Sequence, residues 1–142
     1  MSSSVYSSIL YLSPTRQKAL AYRIKHYKDE DSMAIYENVA SRRNMDDDEI
    51  LYNFSSAGLA AYPNNNLWKS RYLMGKLRKY GSISNQEKKD LINHLETNSS
   101  GRVRGDIYIY ICEYKKYKGT EFLKPYENLI NEHTKTNGCK FP

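Results

Sequence analysis

Asp106-Ile107-Tyr108-Ile109-Tyr110-Ile111-Cys112 is the stretch on which the fold class turns. From Ile107 to Ile111, β-branched and aromatic residues alternate strictly, which is a strand pattern. The same run places Ile107, Tyr110, Ile111 and Tyr114 at helical spacing, between an Asp106 cap and a Gly119 stop. A strand needs a partner, and no second convincing strand pattern occurs in the chain. The run therefore reads as helix, with Ile107–Ile111 as a strand the alternative, and the whole chain reads as all-α.

The punctuation on either side agrees. Ser13-Pro14 opens a helix through Lys28, because proline in the first turn gives up an N–H that would have no partner there. Asp31 or Ser32 caps a second helix to about Arg42, and Asp46 opens a third. That third helix must end by Tyr62, since Pro63 disfavours helical geometry in the residue before it. Asn64-Asn65-Asn66 supplies a loop and cap for a helix from Leu67 to Tyr80, stopped at Gly81. Ser84-x-x-Glu87 is a capping box for a helix through Glu96. Thr97 to Gly101 is loop, Asp106 caps a segment to Lys118, and Thr120 opens a last helix to about Thr134. About seven helices with short connections make a compact single-domain bundle or short array over residues 1–142. Residues 1–12 and 135–142 are expected as flexible or docking tails.

The chain carries fourteen tyrosines against three phenylalanines and one tryptophan, so its aromatic surface is largely hydroxylated. Such rings need hydrogen-bond partners when buried and make amphipathic contacts when exposed. No apolar run approaches the ~20 residues of a membrane span. Cys112 and Cys139 could pair in principle, but with no metal-ligand spacing and nothing to support a disulfide framework, reduced thiols in an intracellular, cytoplasmic protein are expected. Asn53-Phe54-Ser55 and Asn98-Ser99-Ser100 match a glycosylation acceptor pattern, read as chance without a secretory signal. The frequency of Lys, Asn, Tyr and Ile hints at an AT-rich source such as a phage or mobile element.

The net charge of +6 is segregated. Residues 1–28 contain no acid and five bases, Arg16, Lys18, Arg23, Lys25 and Lys28. That composition fits a basic first helix, with an organellar transit segment as an alternative disfavoured by Pro14. Residues 29–49 follow with a net −6, and residues 67–83 return to +5 through Lys69, Arg71, Lys76, Arg78 and Lys79. Alternating blocks let a fold offset its own charges, or leave coherent patches for a partner.

On a wheel, Leu67, Leu73, Met74 and Leu77 form an aliphatic stripe facing the core. The opposite side gathers Trp68, Arg71, Tyr72, Lys76, Arg78 and Lys79. With Lys69, and with Arg102 and Arg104 extending the patch, this is the expected partner-binding surface. Rings interleaved with bases suit an acidic protein surface or unpaired nucleic acid. The alternative is a helix packed on two sides, with Trp68 inside.

Catalysis is not indicated. His26, His94 and His133 fall on three different predicted helices, with His94 expected on a helix flank. There is no phosphate loop, zinc-protease motif or nucleophile elbow. No cofactor or metal is expected. The reading is a non-catalytic helical interaction protein, an accessory subunit, regulator or inhibitor docking on a larger protein assembly. Binding of single-stranded DNA or RNA is second, and a small subunit of an organellar complex third.

Overall fold

The computed structural model describes residues 14–34, 48–97 and 101–142. Helix α1 (Pro14–Tyr27) is followed by a helical stretch over 30–34, then α2 (Asp48–Ala61), α3 (Asn66–Tyr80) and α4 (Asn85–Thr97). Helix α5 (Arg102–Ile107) continues into a π-helical turn, Tyr108–Cys112. A 3-10 segment, Glu121–Tyr126, leads into α6 (Glu127–Thr134). The protein is an all-α bundle, with no strand among the described residues.

Several helix ends follow the sequence closely. The Asn65 side chain accepts from the N–H groups of Leu67 and Trp68 at 3.0 and 3.1 Å, covering two orphan donors of α3. Gly81 ends that helix in the left-handed region at φ 75°, its N–H on the Leu77 carbonyl at 2.7 Å. The capping box closes in both directions, Glu87 N–H to Ser84 Oγ at 3.1 Å and Ser84 N–H to Glu87 Oε1 at 2.9 Å. Burial pushes the Glu87 carboxyl up, but the Ser84 amide and the Lys76 ammonium together hold it below its ordinary value.

The decisive run, 107–112, is helical. Past Ile107 the ladder widens, so that Glu113 N–H reaches the Tyr108 carbonyl at 2.9 Å, five residues back. The Arg78 guanidinium donates to the Tyr110 carbonyl at 3.3 Å, which gives that oxygen a partner outside its own helix.

Two expected caps are displaced. The stretch over 30–34 is capped by Asp29, whose Oδ1 accepts from Ser32 N–H at 3.2 Å, while Ser32 itself is buried. Asp106 does not open a helix. Gly101, left-handed at φ 72°, starts α5 five residues earlier than Asp106 would, and the His133 ring lies against that glycine. Asp106 turns inward instead. Residues 1–12, the far end of the second expected helix, Asp46 and the Asn98–Ser100 acceptor lie outside the described residues.

The C-terminal segment is a correction. Cys112 and Cys139 are joined in a disulfide, with Cα atoms 4.9 Å apart. The expectation of reduced thiols is thereby overturned. Nor is 135–142 a loose tail. Asn131 brackets Cys139, donating to its carbonyl at 3.0 Å and accepting its N–H at 2.9 Å. Phe141 is buried, and its N–H donates to Glu127 Oε1 at 2.7 Å. A separation of 27 residues hid this pairing, because only the return of α6 brings the two cysteines together.

Candidate binding surface on helix α1

The side of α3 expected to face a partner is largely enclosed or paired within the fold. Trp68 is 5% exposed. Its ring lies against Gly58 of α2 so closely that a Cβ there would sit 2.6 Å from Cδ2 of the indole. Gly75 gives the matching approach, where a Cβ would fall 3.1 Å from the Tyr52 Cα. Glycines at these two crossing points let α2 and α3 pack closely, and the indole fills the space left.

Each base of α3 has a carboxylate from another part of the chain. Arg78 meets Asp48 at 2.8 Å and Lys79 meets Glu49 at 3.2 Å, both on α2. Lys76 meets Glu87 at 3.0 Å and Lys69 meets Asp90 at 3.3 Å, both on α4. Arg71 meets Asp106 of α5 at 3.0 Å, with its guanidinium 5.2 Å from the Trp68 ring centre. Burial of Arg71 and Arg78 demands such partners, since an unpaired buried charge costs several kcal/mol. Tyr72 is half-buried, its ring 5.8 Å from Tyr52, and Tyr80 meets Tyr52 edge-on at 5.6 Å. Burial, then hydrogen bonding with Tyr72 and Tyr80, pushes the Tyr52 hydroxyl up to about 12. Arg104 is half-buried and donates to the Leu95 carbonyl at 3.3 Å, and Arg102 is the exposed member of the expected set.

Helix α1 is different. Leu20, Ala21 and the fully buried Ile24 pack it inward, against a neighbouring α2. Its other side holds Tyr22 and Tyr27, 54% and 70% exposed. Lys18, Tyr22 and Lys25 recur at spacings of four and three residues, so they share a face. Between this face and α2 lies an open cleft of about 320 Å³, lined by Lys18, Tyr22, Lys25 and His26 on one wall and by Asn53, Ser56 and Ala57 on the other. The Tyr22 and His26 rings stand 4.2 Å apart, and Tyr27 meets Tyr22 edge-on at 6.1 Å. Arg23 is paired with Asp29 at 2.8 Å, and Lys28 lies 5.6 Å over the Tyr62 ring. Among the described residues no carboxylate pairs with Lys18 or Lys25.

The chain matches no known family model, curated protein or solved structure. Its own chemistry must carry the reading.

The three histidines occupy three separate environments. His94 is buried rather than on an open flank, with Nδ1 3.0 Å from Ser70 Oγ. The Ser70 hydroxyl also donates to the Asn66 carbonyl at 2.8 Å. Burial, and then the nearby Lys69, pull the His94 ring below its ordinary value. His133 covers Gly101, and His26 lines the cleft. Among the described residues, no three His, Cys, Asp or Glu side chains converge as a metal site, and no helix is long and apolar enough to cross a membrane.

The signal for α1 was present in the sequence as a stretch of 28 residues without an acid. What concealed its meaning was the equal charge of α3, whose aromatic residues looked the more conspicuous.

Proposed function

We propose that this protein is a non-catalytic helical binding protein, an accessory subunit or regulator, that grips an anionic partner with the exposed side of α1 and the facing wall of α2. One observation carries the reading: every base of α3 is paired within the fold, whereas Lys18 and Lys25 line an open cleft beside exposed tyrosines with no described carboxylate to meet them. Cations left unpaired in a cleft create a local positive potential that attracts and orients a negatively charged partner.

Two variants that remove equal charge test it. Lys18→Gln/Lys25→Gln empties the cleft of its lysines, whereas Lys89→Gln/Lys140→Gln removes two exposed lysines elsewhere. On immobilised heparin, used as a generic polyanion, the first variant should elute at clearly lower salt than the second. Equal shifts would mean that only net charge matters, and the α1 surface would lose its claim.

A further inference from the structure

We infer that the anionic partner of this surface is a single-stranded nucleic acid, its bases stacked on the tyrosines of α1 and its phosphates held by Lys18 and Lys25. The inference rests on α1 being the contact surface, and adds to it the class of molecule bound.

The rings argue for it first. Tyr22 and His26 form a tilted stacked pair, and Tyr22 and Tyr27 offer much of their surface to solvent. Unpaired bases stack on such rings without regard to sequence, because every base has a π-face. Lys18 and Lys25 flank Tyr22 at seven residues' separation, about 10 Å along the helix. A strand laid across the face would therefore meet cation, ring and cation in turn. Asn53 and Ser56, on the α2 wall, supply donors and acceptors for base edges.

What the face lacks argues as well. The exposed large hydrophobic residues among those described are Tyr22, Tyr27, Tyr80 and Ile109, so α1 has no large exposed aliphatic residue. Protein interfaces draw their energy from anchors sunk in enclosed, well-packed pockets, and an open cleft with lysines on its wall is a poor host for one. An acidic peptide would satisfy the lysines, but only unpaired bases would also offer each ring a flat stacking partner. A duplex hides its base faces and would use the cations alone.

The test is fluorescence anisotropy of the full chain, without reductant, against a short labelled oligothymidylate and its oligouridylate counterpart. Binding is expected to one or both, with log affinity falling against log salt at a slope of roughly −1.4 for two phosphate contacts. Lys18→Gln/Lys25→Gln should flatten that slope. Tyr22→Ala should weaken binding roughly fivefold or more at unchanged slope, with Tyr22→Phe retaining it, since stacking needs only the ring. Lys89→Gln serves as the unaffected control.

Three results would overturn the inference: polyglutamate bound as tightly as the oligonucleotide, a duplex bound as tightly as the single strand, or Tyr22→Ala without effect. Each would leave α1 as an anion-binding surface if the heparin comparison holds. Failure of the heparin comparison would remove both readings together.

Discussion

Helices α1 and α3 carry similar sequence signals and use them in opposite ways. Each is rich in lysine and arginine, each interleaves them with aromatic rings, and neither has an acidic residue in its first turn. Helix α3 lies between α2, α4 and α5, and all three send carboxylates to it. Its cations have become struts of the bundle. Helix α1 has α2 as its support, and the nearest acid in the sequence, Asp29, is taken by Arg23. Among the described residues, then, the fold supplies a carboxylate to every base of α3 but to neither Lys18 nor Lys25 of α1.

Breaking the α3 half of the contrast should have the largest effect. Trp68→Ala removes the side chain seated on Gly58 and should destabilise by about 3–5 kcal/mol, read as a lower urea midpoint by circular dichroism. Next comes Arg71→Met, which leaves Asp106 buried without its cation; a loss of about 3 kcal/mol is expected in the same measurement. A variant that instead unfolded no more easily than wild type would show that α3 charges are ornamental.

A smaller effect belongs to His94. Its folded ring takes up a proton at a lower pH than the ordinary value of 6.5, while the unfolded ring titrates near that value. Below about pH 6.5 the unfolded chain therefore binds more protons, and stability should fall with pH until the folded ring also titrates. Denaturation at pH 7.5 and 5.5 should show that decline, and it should be shallower in His94→Gln. The smallest effect should come from Lys18→Gln/Lys25→Gln, within about 0.5 kcal/mol of wild type. A marked destabilisation would mean that α1's lysines are structural after all.

Local chemistry was legible in the sequence. The cap within Asn64–Asn66, the Gly81 stop and the Ser84–Glu87 box depend on residues within four positions of one another; the last two formed as read, and Asn65 proved to be the capping residue. What escaped was long-range. The helical wheel assigns Leu73, Met74 and Leu77 to the core, but cannot show that α3 is enclosed on several sides. Nor can it show that Gly58 provides a socket for Trp68. Asp106 had the spacing of a cap, yet its partner, Arg71, lies 35 positions away. The cysteines were misread for the same reason. As for α1, its charge was visible and its openness was not, because openness depends on which carboxylates the rest of the fold sends elsewhere.

The Cys112–Cys139 bridge has a practical corollary. Lys115 and Lys118 are exposed in the turn that the bridge encloses. A trypsin nick there would sever the backbone without releasing a fragment. The clipped chain would run as one band on a non-reducing gel and as two once a thiol is added. Digestion followed on reducing gels alone would thus count as destroyed molecules whose two pieces are still tethered.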